Sequence, residues 1–221
     1  MKNNTKALLL ASTVLLVAPS YADFGSLLGK KSSKPAGDAY AMQDKLIKTY
    51  VASATSINAA QIQLAKAFGL KDIATKLEAE KEALSSGSVS DEDSIEKNTE
   101  VSEEANKAIQ EKIKSGVKMS AEGKKHYIKS FVPYVTGLVG SKSVIDEAKP
   151  FLESAKSTIS NAGFTDTLSV TNKLKAGTFV ATTMPSYVQS LWETSQLMVT
   201  YGKDNKIDVP EDATDSIGDM F

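Results

Sequence analysis

The chain has 221 residues, a formal net charge of −1, no cysteine and one histidine. All 26 basic residues are lysines, so the chain lacks the guanidinium fork that reads guanine edges and clamps phosphates. This composition argues against sequence-specific nucleic-acid binding, and it excludes disulfides, a cysteine nucleophile, and thiolate or multi-histidine metal sites.

The first 22 residues have the layout of a secretory signal peptide. Lys2 and Lys6 precede an apolar run at 7–18, and small residues lead up to Ala22. An apolar run of 12 residues is shorter than the roughly 20 that span a bilayer as a helix, so an uncleaved anchor is the less favoured interpretation. We predict cleavage after Ala22, no stable membrane insertion afterwards, and a periplasmic location, with secretion beyond the cell as the alternative.

Three further segments follow the signal peptide. Residues 23–37 are rich in Gly, Ser and Lys and predict a flexible leader. From Asp38 to residue 202, apolar residues recur at steps of three and four and predict helices. The acidic stretch 203–221 predicts an extended or partly disordered tail. The predicted fold is therefore an all-α bundle of about six helices with short connections, some of the helices bent at proline.

Capping residues and glycines set the predicted helix boundaries. Asp38 is placed to cap the first helix, and Ser90 to Asp93 to cap the third. The last helical region is predicted over 168–201. The predicted breaks between helices fall at Gly69, Gly87, Gly116, Gly140 and Gly163.

Aromatic residues are unevenly spread along the chain. Residues 69–125 contain none, so we expect the core to centre on the first helix and the C-terminal helices. The second and third helices then form a polar hairpin with a thin apolar stripe that includes Ile95, Ile109 and Ile113. Packing of this hairpin on the bundle is the simpler interpretation, and a projecting arm that grips a partner with these isoleucines is the functional one.

Two predicted helices contain a proline followed by Tyr-Val-x-x-Leu, at Pro133 and Pro185. An interior proline removes one backbone hydrogen bond and bends or breaks a helix. Two bent helices facing each other would leave a cavity for a hydrophobic ligand. The alternative is that its lining residues are ordinary core: Phe131, Tyr134, Phe179, Tyr187 and Trp192.

His126 follows Glu122 by four residues, so the two side chains share a helix face. This pair would suit a general base with its orienting carboxylate, but the sequence near it supplies no recognisable nucleophile, oxyanion loop or metal partner. We therefore predict a protein that is not an enzyme and binds neither cofactor nor metal.

The predicted function is that of an exported protein-interaction module, an adaptor, chaperone or inhibitor of another envelope protein. The alternative is a soluble carrier of a lipid or other hydrophobic ligand. The predicted partners are accordingly an envelope protein or a hydrophobic ligand, and not nucleic acid.

Overall fold

The computed structural model describes residues 38–218, which form seven α-helices. This range contains no strand, so the predicted all-α fold is confirmed. The predicted signal peptide at 1–22, the leader at 23–37 and the last three residues lie outside the described range. The helices are α1 (Ala39–Ala67), α2 (Lys71–Ser86), α3 (Glu92–Lys114), α4 (Ala121–Asn161), α5 (Thr167–Lys173), α6 (Lys175–Asp204) and α7 (Glu211–Gly218).

Local capping explains why the first three helices begin and end close to the predicted residues. The Asp38 carboxylate accepts a hydrogen bond from the Tyr40 backbone N–H at 3.0 Å. Gly87 follows α2 with φ +75°, a left-handed conformation that glycine adopts without steric cost. Asp91 and Ser94 form a reciprocal capping box, and the hydrogen bond from the Ser94 backbone lowers the pKa of the Asp91 carboxyl.

The predicted break at Gly140 was wrong, because α4 runs without interruption through 121–161. Gly140 lies against α1, where an added Cβ would stand 3.1 Å from Ser53 Cβ. Beside it, Ser53 Oγ and Ser141 Oγ share a hydrogen bond of 2.6 Å. The glycine therefore serves close packing between helices rather than helix termination. Prolines do not end these helices either, since Pro133 and Pro150 lie inside α4 and Pro185 inside α6.

The C-terminal part of the chain also differs from the prediction. The helical region predicted over 168–201 is divided at Leu174 into α5 and α6. The tail predicted to be extended contains α7, which packs against α4 and α6. Ala213 and Ile217 are buried on one side of α7, four residues apart. This apolar pair lets the short acidic helix bury one face. The prediction of an extended tail rested on the acidic composition of the segment and did not take this pair into account.

Four long helices surround the core: α1 packs along α4, α4 along α6, and α6 along α3. The α2 helix packs on α1 and α3, on the side of the bundle away from α4. As the aromatic distribution predicted, the buried rings come from α1 and the C-terminal helices. At one end of the bundle, four of them meet in edge-to-face or tilted contacts 5.4–6.1 Å apart: Phe68, Tyr127, Phe131 and Tyr201.

Small residues allow α1 and α4 to approach closely. A Cβ added at Gly137 would lie 2.6 Å from Ile57 Cγ1 and 2.7 Å from the Ile57 backbone nitrogen. One at Gly123 would lie 2.7 Å from the Ala67 carbonyl oxygen. Distances this short cannot be relieved by rotating one side chain, because backbone atoms are involved. The separation of α1 and α4 is therefore set by glycines on α4.

We expect Gly137→Ala to destabilise the fold by about 1–3 kcal/mol, since the new methyl group must push α1 away from α4. Urea unfolding followed by circular dichroism measures this change. Gly163→Ala is the matched control, because the nearest atom to its added Cβ is Asp166 Oδ2 at 3.8 Å. Equal stability of the two variants would contradict this account of the α1–α4 packing.

Candidate functional site

The hairpin of α2 and α3 packs on the bundle and does not project from it. Ile95 and Ile109 are fully buried and Ile113 is 6% exposed, all three within the main core. In this fold these isoleucines contact other core residues, so a partner could not reach them without displacing α3. The hairpin is nevertheless rich in charge, since 7 of the 16 residues of α2 and 11 of the 23 residues of α3 are charged.

Hydrogen bonds hold α3 in place alongside its apolar stripe. Gln61 on α1 donates to the Ser102 carbonyl at 2.9 Å and accepts from Ser102 Oγ at 2.7 Å. The same Ser102 hydroxyl is hydrogen-bonded to the Tyr187 hydroxyl on α6. Further along, Asn106 donates to Ser190 Oγ at 2.9 Å. We name the inward polar residues of α3 the polar seam: Asn98, Thr99, Ser102, Asn106 and Gln110.

The sequence contains a pattern that predicts the polar seam, but the residues of this pattern are polar and were therefore expected to face solvent. Asn98, Ser102, Asn106 and Gln110 recur every four residues, which is the spacing of one helix face. Three of them are buried, and Gln110 is half-buried. Sequence reasoning treated polar residues as solvent-exposed, and so it missed the face by which α3 docks.

Buried tyrosines contribute to the same interior. The Tyr50 hydroxyl lies 3.0 Å from Asn98 Oδ1 and 2.9 Å from Thr99 Oγ1. The Tyr134 hydroxyl donates to the Leu191 carbonyl at 2.9 Å. Burial away from water disfavours the phenolate, and it raises the pKa of Tyr50, Tyr134 and Tyr187 well above the ordinary tyrosine value.

The five residues predicted to line a ligand cavity do not converge on one space. Phe131, Tyr134 and Tyr187 are core residues, whereas Phe179 and Trp192 are half-buried. The last two are 13 positions apart on α6, which turns their side chains about 140° away from each other. Three surface cavities in the described part of the chain have other linings. The carrier alternative therefore draws no support from this arrangement.

One of these cavities, about 370 Å³ in volume, lies where α3 begins beside the α5–α6 junction. Its polar groups are engaged in holding helix ends together. Asp91 caps α3, and Glu92 pairs with Lys175 at 2.7 Å, a hydrogen-bonded contact that raises the pKa of Lys175. Gln43 donates to the Lys173 carbonyl at 2.9 Å. We assign this cavity a structural role.

His126 joins α4 to α1 at the surface. Its Nδ1 lies 2.8 Å from Gln63 Oε1, and its Nε2 lies 3.8 Å from Glu122 Oε1. The Glu122 carboxylate also accepts from Lys125 at 3.2 Å, and this hydrogen bond lowers the pKa of Glu122. In residues 38–218, no group of three or more candidate ligand side chains is placed to hold a metal ion.

The middle of α4 and most of α6 carry little charge. On α4, residues 130–141 include no charged side chain, and on α6 the residues between Lys175 and Lys203 include only Glu193. Val132 is 66% exposed and Val139 is 50% exposed on the same side of α4. We name this surface the charge-free face: Val132, Val135, Val139, Pro185 and Trp192.

Two hydrogen bonds show that α4 and α6 run side by side along this face. The Tyr134 hydroxyl reaches the Leu191 carbonyl, and the Tyr127 hydroxyl reaches the Met198 carbonyl. Helical periodicity places Val135 and Trp192 on the outer side of this contact, where both are half-buried against the core. The face therefore extends across two helices.

Comparisons with protein-family models, with curated proteins and with solved structures find no match for this chain. Within the described range, none of the helices combines the length and the apolar character needed to cross a bilayer.

We expect the free energy of unfolding to fall steeply above about pH 10, where tyrosines in the unfolded chain ionise while the buried ones keep their protons. Tyr187→Phe removes one such group, so it should make the slope shallower by about 1.4 kcal/mol per pH unit. Urea unfolding at stepped alkaline pH measures the slope. Tyr40→Phe, at a side chain 36% exposed, is the control and should leave the slope unchanged. Identical slopes for the two variants would contradict the role given to Tyr187.

Proposed function

We propose that the mature chain is an exported, non-enzymatic protein-interaction module of the bacterial periplasm, and that the charge-free face is its binding surface. The observation that carries this proposal is the exposure of Val132 and Val139 within a charge-free segment of α4. By contrast, α2 and α3 are densely charged.

The composition of the face matches the centre of a protein interface. Such centres are depleted of charged residues and enriched in aromatic ones, because a charge buried on binding loses its hydration. Here the face also includes Trp192, a residue type that often contributes strongly to binding. Thr136 and Gln189 are exposed and uncharged, and they donate hydrogen bonds within their own helices, to the Val132 carbonyl and to the Glu193 carboxylate.

The shape of the face favours a macromolecular partner. Small hydrophobic ligands bind in concave sites that bury most of their surface. Val132 and Val139 instead lie on the outer side of a helix, where a partner must bring a surface of its own. An adaptor, chaperone or inhibitor that acts on another envelope protein would use a surface of this kind.

The double substitution Val132→Lys with Val139→Lys tests the proposal. The mature protein is immobilised, partners are captured from periplasmic extract, and each identified partner is purified for titration. Binding should weaken at least about tenfold, because lysine ammonium groups would have to be desolvated at the centre of the interface.

Val117→Lys is the matched control, since Val117 is 37% exposed but lies between α3 and α4, outside the charge-free face. Circular dichroism spectra must agree among all variants. A partner that binds the double variant and the wild type with equal affinity would overturn the assignment of this face.

Export is tested separately by N-terminal sequencing of the protein purified from periplasm. The expected first residue is Asp23, because cleavage after Ala22 removes the apolar run. An intact Met1 on the purified protein would contradict cleavage, and recovery from the cytoplasm alone would contradict export.

A further inference from the structure

Exposed residues recur at seven-residue intervals along α4, and four consecutive members of this series, here called the row, are Lys125, Val132, Val139 and Asp146. Glu153 and Ser160 continue the series beyond the row. Seven residues are almost two helical turns, so these side chains form one row that drifts by only about 20° per step. The exposed fractions are 68% for Lys125, 66% for Val132, 50% for Val139 and 69% for Asp146. The row crosses the charge-free face and ends in opposite charges.

This row is complementary to itself when it is reversed. Read from either end, it has two valines in the middle, a cation at one end and an anion at the other. An antiparallel second copy of α4 would place Val132 opposite Val139 and Lys125 opposite Asp146. A single register of the two helices forms the valine pairs and the Lys125–Asp146 pairs together, because all four residues are spaced by seven.

We propose that the partner bound by the charge-free face is a second copy of this chain, with the two α4 helices antiparallel about a twofold axis midway between residues 135 and 136. This inference rests on the proposed function, since it names the occupant of the same face. The contact is isologous, so every pair of residues occurs twice.

The charges at the ends of the row are available for such pairing. Lys125 now contacts Glu122 at 3.2 Å, and Asp146 contacts Lys142 at 3.8 Å, both within α4. Ion pairs that are this exposed are weak, so each side chain can exchange its partner at little cost. Lys129 and Lys142 lie on opposite sides of the row, each about 70° around the helix from its centre, and do not face each other across it.

The extent of the row sets the expected strength of association. From Lys125 to Asp146 the helix rises about 32 Å, and with a width of about 10 Å it gives a flat footprint of about 320 Å² per copy. Stable dimers bury about 800 Å² per partner, so the row alone supports a reversible dimer.

Sedimentation velocity of the full mature chain, over about a hundredfold range of concentration, tests the dimer. The wild type should shift from monomer to dimer as concentration rises. Lys125→Asp or Asp146→Lys alone places like charges opposite each other, and each should weaken dimerisation at least about tenfold. The double variant K125D/D146K restores opposite charges and should return the dissociation constant to within about threefold of the wild type.

Lys107→Asp, a charge reversal at an exposed position of α3, is the control and should leave dimerisation unchanged. A wild type that stays monomeric throughout the range would overturn the proposed dimer, and so would a double variant that fails to recover.

The valine double variant separates this inference from the proposed function. If the wild type is monomeric but the valine variant loses a captured partner, the protein-binding function stands and only the second copy is excluded. If the valine substitutions alter neither dimerisation nor capture, both proposals fail.

Discussion

The close approach of α1 and α4 is the constraint on which the rest of the bundle depends. It requires positions without side chains on α4, because Ile57 fills the space beside Gly137 and Ser53 lies against Gly140. With this pair fixed, α6 packs on both α1 and α4, and α3 packs on α1 and α6. A glycine in mid-helix weakens the isolated helix, and the tertiary contact that it permits outweighs that cost.

The helix α3 docks against α1 and α6 by a different kind of contact. Its polar seam meets hydrogen-bonding groups of α1 and α6, so α3 is held in a single register, since a shift of one residue would leave buried groups unpaired. An apolar stripe alone would tolerate sliding. Each outer surface of the bundle consists of the residues that do not face the core. These residues are mostly charged on α2 and α3, and they are uncharged on the charge-free face of α4 and α6.

Local signals in the sequence were enough to predict much of the fold. Asp38, Gly87 and Asp91 act within a few residues of themselves, so their capping roles could be read directly. Gly140 and Ile217 could not, because their roles depend on neighbours distant in the chain. The candidate site was harder still: aromatic residues suggested a cavity, whereas the proposed surface depends on valines that are exposed within an uncharged run at 130–141. Recognising that run as a surface required knowing which side of α4 the core covers.

Charge is distributed unequally around the bundle, so some of its surfaces are better suited than others to contacts between molecules. Surfaces with interspersed lysines and acids, as on α2 and α3, keep their hydration and resist adhesion. Pairing through the charge-free face, as proposed, would cover that face and leave the charged surfaces of α2 and α3 hydrated. Because the proposed contact is isologous, association through it would close at two copies instead of growing into a filament.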